Sequence, residues 1–137
     1  MNSNSSKGSD EISPIAPLIL VVDNDRDNLL LASYIIDDLG INCITLEDSQ
    51  QCLTKIEELI PDLILLDIVM PRISGIEIIK QIRRNKAIAN IKVIAVTGLT
   101  RAEDRAKLTE AGFNAYLGKP YSLEALETLI CRLLNHL

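Results

Sequence analysis

The feature that most restricts the fold is a run of four aliphatic residues that leads directly into a carboxylate. Residues 63–66 read Leu-Ile-Leu-Leu, and Asp67 follows them with no alternation of apolar and polar positions. An unalternated run of this kind is typical of a strand buried on both faces, as in parallel sheets. Open α/β sheets bind their ligands beyond the carboxyl ends of the strands. We therefore predict that Asp67 leaves the core at the mouth of such a sheet and is a candidate for chemistry.

Strands and helices are predicted to alternate along the chain. Apolar runs predict strands over 18–22, 41–46, 63–67, 91–96 and 114–117, and apolar residues at helical spacing follow each of them. This alternation predicts an α/β fold, a doubly wound parallel five-stranded sheet with helices on both faces and right-handed crossovers. The flavodoxin-like (βα)5 strand order 2-1-3-4-5 would place the first and third strands side by side.

Helix ends carry recognisable signals. Gly40 and Gly112 are predicted to end the first and fourth helices, and Pro61 to end the second. Ser122 is predicted to cap the last helix, and Thr100 with Glu103 forms a capping box before the fourth. Among the apolar residues that recur at helical spacing are Leu30 in the first helix and Ile60 in the second.

Composition limits the classes of protein that the chain can belong to. With 137 residues, 47% hydrophobic and 24% charged, it suits one globular domain, predicted over 17–137, behind a polar, flexible tail over 1–16. A net charge of -5 disfavours binding to nucleic acid. No stretch reaches the ~20 apolar residues of a membrane helix, and no signal peptide is visible.

The cysteines and the histidine give no metal or disulfide signal. Cys43, Cys52 and Cys131 have no zinc-site spacing and are odd in number, which indicates small buried hydrophobes in a reducing cytosol and hence a cytoplasmic protein. His136 is next to the last residue, so no direct role is assigned to it.

The predicted topology collects polar residues at one edge of the sheet. They are Asp23, Asn24 and Asp25 after the first strand, Asp67 at the third, Thr97 at the fourth and Lys119 after the fifth. Carboxylate and amide oxygens suit Mg²⁺, which keeps several waters and usually takes one or two carboxylates. A hydroxyl and an ammonium opposite the metal would bind the oxygens of a phosphoryl group.

Each of these residues also has a structural interpretation. Asp25 is a good helix N-cap, Thr97 is a common type of strand end, and Lys119 before a proline can be a solvated turn. Asp67 is harder to explain in this way, because a carboxylate after four buried aliphatics needs a partner. The coincidence of all of them on one edge favours the functional interpretation.

Four segments carry a family resemblance, and together they are specific. They are Leu20-Val21-Val22-Asp23, Leu65-Leu66-Asp67-Ile68-Val69-Met70-Pro71 with Ser74-Gly75, Ala95-Val96-Thr97, and Tyr116-Leu117-Gly118-Lys119-Pro120. From residue 18 to residue 137 the chain resembles the receiver domain of bacterial two-component response regulators, here of the stand-alone, single-domain type.

The resemblance implies a phospho-acceptor site. Asp67 would accept a phosphoryl group from a sensor histidine kinase or a histidine phosphotransfer protein, with Mg²⁺ held by Asp23, Asn24, Asp67 and the backbone carbonyl of Val69. The protein would catalyse only its own phosphorylation and dephosphorylation and would not otherwise be an enzyme.

The resemblance also implies a switch. Lys119 would pair with the phosphoryl oxygens, the Lys119-Pro120 bond would be cis, and Thr97 and Tyr116 would carry the conformational change. The output would be contact with a downstream protein or relay of the phosphoryl group, with a possible homodimer through the fourth helix, fifth strand and fifth helix.

One residue departs from the family pattern. The family usually has two adjacent acids after the first strand, and here the second is Asn24. An amide carbonyl can ligate Mg²⁺ but brings no charge, so metal affinity should fall, unless Asp25 compensates. Asn24 therefore leaves open a pseudo-receiver that acts as a constitutive interaction module. A flavin- or nucleotide-binding enzyme is disfavoured because no Gly-rich phosphate loop follows the first strand.

Overall fold

A computed structural model describes residues 16–98 and 101–135. Its strands are β1 (Leu18–Val22), β2 (Asn42–Leu46), β3 (Leu63–Asp67), β4 (Lys92–Thr97) and β5 (Ala115–Gly118). Its helices are α1 (Arg26–Asp38), α2 (Cys52–Leu59), α3 (Gly75–Arg84), α4 (Ala102–Ala111) and α5 (Leu123–Leu134), and a 3-10 turn at Ser49–Gln51 leads into α2. The alternation predicted from the sequence is confirmed.

The five strands form one parallel sheet in the order β2-β1-β3-β4-β5, which confirms the flavodoxin-like prediction. Val22 pairs with Leu66, so the residues that follow them, Asp23 and Asp67, leave the sheet side by side. Thr97 pairs with Gly118 at the end of β4. The register thus brings the ends of four strands to one edge.

The sheet separates two apolar layers. In β1, Ile19 and Val21 pack toward α1 and α5, whereas Leu20 and Val22 pack toward α2, α3 and α4. Because both faces are covered, neighbouring positions of a central strand are all apolar, which explains the unalternated runs. A core made almost entirely of aliphatic side chains is therefore present on both sides of the sheet.

Most of the predicted helix ends are observed. Gly40 follows α1 at φ +76°, Gly112 ends α4 at φ +118°, and Ser122 caps α5 by accepting from the backbone N–H of Ala125. Both glycines occupy the left-handed region, which other residues adopt at a cost. The proposed cap Thr100 lies outside the described residues, and Arg101 is the residue that precedes α4.

Two of the apolar residues that fit the helical spacing are exposed. Leu30 is 72% exposed, because the buried face of α1 is made by Leu29, Ala32, Ile35 and Ile36. Ile60 is also exposed, since it follows the last turn of α2 with a left-handed backbone at φ 44° and its side chain leaves the helix face.

Several predictions concern parts of the chain that the structure leaves undescribed. Residues 1–15 of the proposed tail and His136 lie outside the described ranges. Within those ranges, no helix combines the length and apolar character that a bilayer span requires.

Cys43 and Cys52 are buried free thiols, and burial raises the pKa of each to about 12.

Candidate functional site

Asp67 ends β3 as a buried carboxylate with 3% of its surface exposed. Its Oδ1 accepts a hydrogen bond from the backbone N–H of Val69 at 3.2 Å. The start of α3 closes over the same backbone, because Gly75 has no side chain. A Cβ on Gly75 would lie 2.6 Å from the Asp67 carbonyl oxygen and 2.9 Å from the Cα of Ile68. The fold therefore fixes both the carboxylate and the backbone beneath it.

Asp23 follows β1 and is buried beside Asp67. Its Oδ1 accepts from the backbone N–H of Asp25 at 2.9 Å. Asp25 in turn caps α1, since its side chain accepts from the backbone N–H groups of Asp27 and Asn28. The structural interpretation of Asp25 is thus confirmed, and its carboxylate is committed to the helix start.

Lys119 joins the two carboxylates. Its Nζ lies 3.1 Å from Oδ2 of Asp67 and 3.4 Å from Oδ2 of Asp23. Its backbone N–H donates to the carbonyl of Thr97 at 2.8 Å, which fixes the backbone of Lys119 at the end of β4. The Lys119-Pro120 bond is cis, as the resemblance implied.

The electrostatics of the three groups are coupled. Burial and the neighbouring Asp23 raise the pKa of Asp67, against the opposing effects of Lys119 and the Val69 N–H. Burial alone would lower the pKa of Lys119, but the two carboxylates outweigh it and the pKa is raised. Burial and Asp23 also raise the pKa of Tyr121, which follows Pro120, to about 12. Because the two carboxylates raise its pKa, the Lys119 ammonium stays charged.

One carboxylate oxygen retains the capacity to bind a further group. Oδ2 of Asp67 is buried and, among the described residues, no directed hydrogen bond reaches it. The Lys119 ammonium lies 3.1 Å from this oxygen as an ion pair. A carboxylate oxygen has two lone pairs, so it can accept a second partner beside Lys119.

The remaining predicted site residues surround this centre at different depths. Thr97 is buried at the end of β4. The backbone N–H of Val69 donates to Oδ1 of Asp67, but the residue is 70% exposed. Asn24 is exposed and lines an open cleft together with Glu47 and Asp48.

Tyr116 is not brought to the carboxylates. Its side chain is 41% exposed, and the guanidinium carbon of Arg105 lies 5.7 Å from the centre of its ring. Sequence reasoning missed Arg105, because the contact joins α4 to β5 across the fold and leaves no local pattern. The same holds for Arg83 on α3, whose guanidinium binds the backbone carbonyl of Gly112 at the end of α4 as well as those of Ala89 and Ile91.

The donor set at this edge can be compared with the needs of metal ions. In the described ranges, no three or more His, Cys, Asp or Glu residues are grouped as they would be around a metal ion. Two carboxylates, Asp23 and Asp67, supplemented by an amide and a backbone carbonyl, suit Mg²⁺, which usually takes one or two carboxylates and keeps its waters. These oxygens do not suit zinc, which prefers His and Cys.

With fold and site described, the class of protein follows. Residues 19–131 match the model of the response regulator receiver domain, and the chain belongs to this family. It is 35% identical over 104 residues to PhoP of Bacillus subtilis, the alkaline phosphatase synthesis transcriptional regulatory protein, and 31% identical over 105 residues to DivK of Brucella ovis, a polar-differentiation response regulator. These matches cover 76% and 77% of this chain.

The relatives differ in how much of their own length is matched. The match covers 42% of PhoP and 85% of DivK. Among solved structures, the Francisella response regulator 1452 receiver domain superposes with a TM-score of 0.81 at 28% identity, covering 87% of this chain and 97% of that one. Vibrio cholerae CheY4 gives a TM-score of 0.82 at 24% identity, over 86% of this chain and 98% of that one, and supports the fold.

Proposed function

We propose that this receiver domain is a phosphorylatable switch that accepts a phosphoryl group on Asp67. The observation that carries the proposal is the buried Asp67 carboxylate, which faces Asp23 and has the Lys119 ammonium 3.1 Å away. A buried acid with a raised pKa, a like-charged neighbour and a fixed cation is the kind of perturbed group that marks functional sites.

The proposed reaction transfers a phosphoryl group from the nitrogen of a histidine to an oxygen of Asp67. A carboxylate oxygen of Asp67 attacks the phosphorus of a phosphohistidine, the new P–O bond forms, and the P–N bond breaks. The electron pair of that bond returns to the imidazole, which takes a proton from water. Lys119 stabilises the negative charge that gathers on the phosphoryl oxygens, because it is already oriented and charged.

Mg²⁺ is the cofactor that we propose for the site. Asp23, Asp67, the backbone carbonyl of Val69 and the amide oxygen of Asn24 would hold it. When bound, the ion offsets negative charge on the carboxylates and on the incoming phosphoryl group. The buried Oδ2 of Asp67, to which no described residue directs a hydrogen bond, supports an arrangement that leaves room for a further cationic or phosphoryl ligand.

The partners follow from the chemistry. A sensor histidine kinase or a histidine phosphotransfer protein would supply the phosphoryl group, and the output would be a contact with a downstream protein or transfer to the next carrier. Thr97 would read the phosphoryl group and Tyr116 would transmit the change to the surface formed by α4, β5 and α5. A homodimer through that surface is one form that the contact could take.

A second candidate is a pseudo-receiver that binds partners without phosphorylation. Asn24 is the observation that favours it, because this residue supplies no charge to a metal site. Asp25 is the neighbouring acid, and its Oδ1 caps α1.

Incubation with acetyl phosphate separates the two candidates. The first predicts an added phosphoryl mass in the presence of Mg²⁺, its loss with EDTA, and its absence in Asp67→Asn. Glu127→Gln, at an exposed carboxylate on α5, is a control for the loss of an acid. An unmodified wild-type protein at saturating Mg²⁺ would favour the pseudo-receiver, and labelling that survives Asp67→Asn would show that another residue is the acceptor.

Thr97 is tested by separating chemistry from response. Thr97→Ala should still take up the phosphoryl group, because the acceptor and Lys119 are retained. Its conformational response to phosphorylation should weaken, because the Thr97 hydroxyl would shift the equilibrium between two conformations of the α4, β5 and α5 surface. Nuclear magnetic resonance shifts of α4 and β5 amides, with and without phosphorylation, measure this response. A full response in Thr97→Ala would remove the proposed role.

A further inference from the structure

Tyr116 lies on the same face of the sheet as Thr97, and the positions between them are small. Tyr116 pairs with Ala95 and Thr97 pairs with Gly118, so all four residues point toward the layer that contains α4. If the Tyr116 ring turned from the surface toward Thr97, it would pass only the methyl group of Ala95 and the α-hydrogen of Gly118. The backbone therefore allows an inward as well as an outward Tyr116.

The observed outward position has a specific contact. The guanidinium of Arg105, on α4, lies over the Tyr116 ring, with its central carbon 5.7 Å from the ring centre. Both side chains are partly exposed to water. At exposed sites a cation–π contact of this kind shifts an equilibrium by about two- to five-fold, which is enough to bias a rotamer and weak enough to be broken.

The helix that carries Arg105 is attached to the protein unevenly. All residues of α4 are described, and Leu108 is its one buried side chain. Among the described residues, no side chain caps its N-terminal end. The first half of α4 therefore shows few contacts with the described residues that would oppose a displacement, which is a property of segments that open easily.

The C-terminal end of α4 is fixed by Arg83. The Nε of Arg83 donates to the carbonyl of Gly112 at 3.0 Å, and its terminal nitrogens donate to the carbonyls of Ala89 and Ile91 and to Oδ1 of Asn114. Gly112 is required here, because a Cβ would lie 3.0 Å from the Cγ of Arg83. Arg83 makes three partly buried bonds and one exposed bond, all charge-assisted, and the bond to Gly112 ties the end of α4 to this network. One exposed ring contact holds the middle of the helix less firmly.

We propose that Arg105 is a regulatory residue that restrains Tyr116 in its outward position and thereby couples the ring to α4. Release of the ring would free the N-terminal half of α4, while Arg83 keeps the C-terminal end in place. This inference rests on the proposed switch for its biological meaning. The restraint itself is a property of the unphosphorylated protein and can be measured there.

The test compares Arg105→Ala with Lys107→Ala in unphosphorylated protein. Both variants remove one cation from α4 and gain the same helix-favouring residue, but Lys107 is exposed and makes no contact with Tyr116 among those observed. Amide hydrogen exchange of α4 and the solvent accessibility and nuclear Overhauser contacts of the Tyr116 ring are the readouts. Arg105→Lys, which keeps the cation, should behave more like the wild type.

The expected result is specific to Arg105. Arg105→Ala should speed exchange in α4 by about two- to five-fold and bring Tyr116 ring contacts toward Thr97, while amides near the Arg83 contacts, such as Val93, stay unchanged. Equal effects of the two alanine variants, or a ring that stays outward in Arg105→Ala, would overturn the inference. Failure of the protein to react with acetyl phosphate would reject the proposed function and leave this measurement standing.

Discussion

The Asp67 carboxylate is the residue on which burial and charge conflict most strongly. Its pKa is raised by burial and by Asp23 despite the nearby Lys119, so ionisation costs more in the folded protein than in the unfolded chain. The stability linked to this group is therefore present below the pKa of the unfolded carboxyl and is lost as the pH rises through the folded pKa.

A neutral side chain at this position should stabilise the resting protein. Asp67→Asn should raise the free energy of unfolding at pH 7 by about 0.5–2 kcal/mol, the usual size of a single-residue effect, because Lys119 keeps Asp23 as a partner. The gain should shrink as the pH falls and the wild-type carboxyl takes up its proton. Urea unfolding between pH 4 and pH 7 measures it.

A control separates this effect from a general loss of charge. Glu127→Gln removes an exposed carboxylate from α5, and we expect no comparable change with pH. A lower stability of Asp67→Asn at neutral pH would mean that the ion pair with Lys119 outweighs the costs of burying the charge.

Asn24 is the second residue whose charge can be tested. Asn24→Asp should tighten Mg²⁺ binding at least about five-fold, since a charge–charge contact at ~4 Å near a protein surface exceeds about 1 kcal/mol. Isothermal titration with Mg²⁺ measures the change. Asn28→Asp adds the same charge within the first turn of α1 and should have a smaller effect.

An equal gain in both variants would indicate long-range attraction. A gain in neither would mean that water or a backbone group already supplies what Asn24 lacks, and the site would not depend on the family's second acid.

At the scale of elements, the strands and most helix ends were predictable because their causes are local. Unalternated aliphatic runs marked the buried strands, and Ser122, Gly40 and Gly112 marked helix ends through caps and left-handed backbone. The exposed Leu30 and the contact of Arg105 with Tyr116 were not predictable in this way. They depend on which neighbour covers each face, and that is decided by packing between distant segments.

The same distinction applies to the candidate site. Asp23, Asp67 and Lys119 could be assigned to one edge because parallel strands end together. In the structure, both carboxylates lie within 3.4 Å of the Nζ of Lys119. The commitment of the Asp25 side chain to the start of α1 could only be proposed as one of two roles. Tyr116 was identified by resemblance, and its outward position had no sequence signal.

The junction of β3 and α3 gives a prediction at this scale. Gly75→Ala places a Cβ against the backbone of Asp67 and Ile68, neither of which can move without shifting the strand. We expect a loss of about 1–3 kcal/mol from overpacking, reduced by the better helix propensity of alanine. Chemical denaturation measures the loss, and Mg²⁺ binding should weaken with it.

Gly98→Ala is the matched control, because a Cβ at that position meets no atom of the described residues within 4 Å. It should change stability little. If the two variants were equally stable, the close approach of α3 to β3 would not constrain the site.

At the scale of the whole molecule, the site belongs to no single element. Asp23 follows β1, Asp67 ends β3 and Lys119 follows β5, so a ligand that binds all three holds the two sides of the sheet's edge together. Binding to the folded state alone must then stabilise the entire domain through mass action.

Mg²⁺ should therefore raise global stability. At a concentration 100 times its Kd, the gain should be about 2.7 kcal/mol in the wild type. The double variant Asp23→Asn/Asp67→Asn should show no such gain, because it lacks both carboxylates. Thermal unfolding with Mg²⁺ or with EDTA measures both. A gain retained by the double variant would locate the binding elsewhere on the protein.

The placement of the three tyrosines has a practical consequence. The chain contains no tryptophan, so its near-ultraviolet absorbance and emission come mainly from Tyr34, Tyr116 and Tyr121. Tyr34 is exposed on α1, and Tyr116 lies under the guanidinium of Arg105. Tyr121 is partly buried, and burial together with Asp23 raises its pKa to about 12. The protein thus has native optical reporters beside the carboxylates and beside α4, and a Tyr34→Phe variant would leave only those two to be followed in real time, without an attached dye.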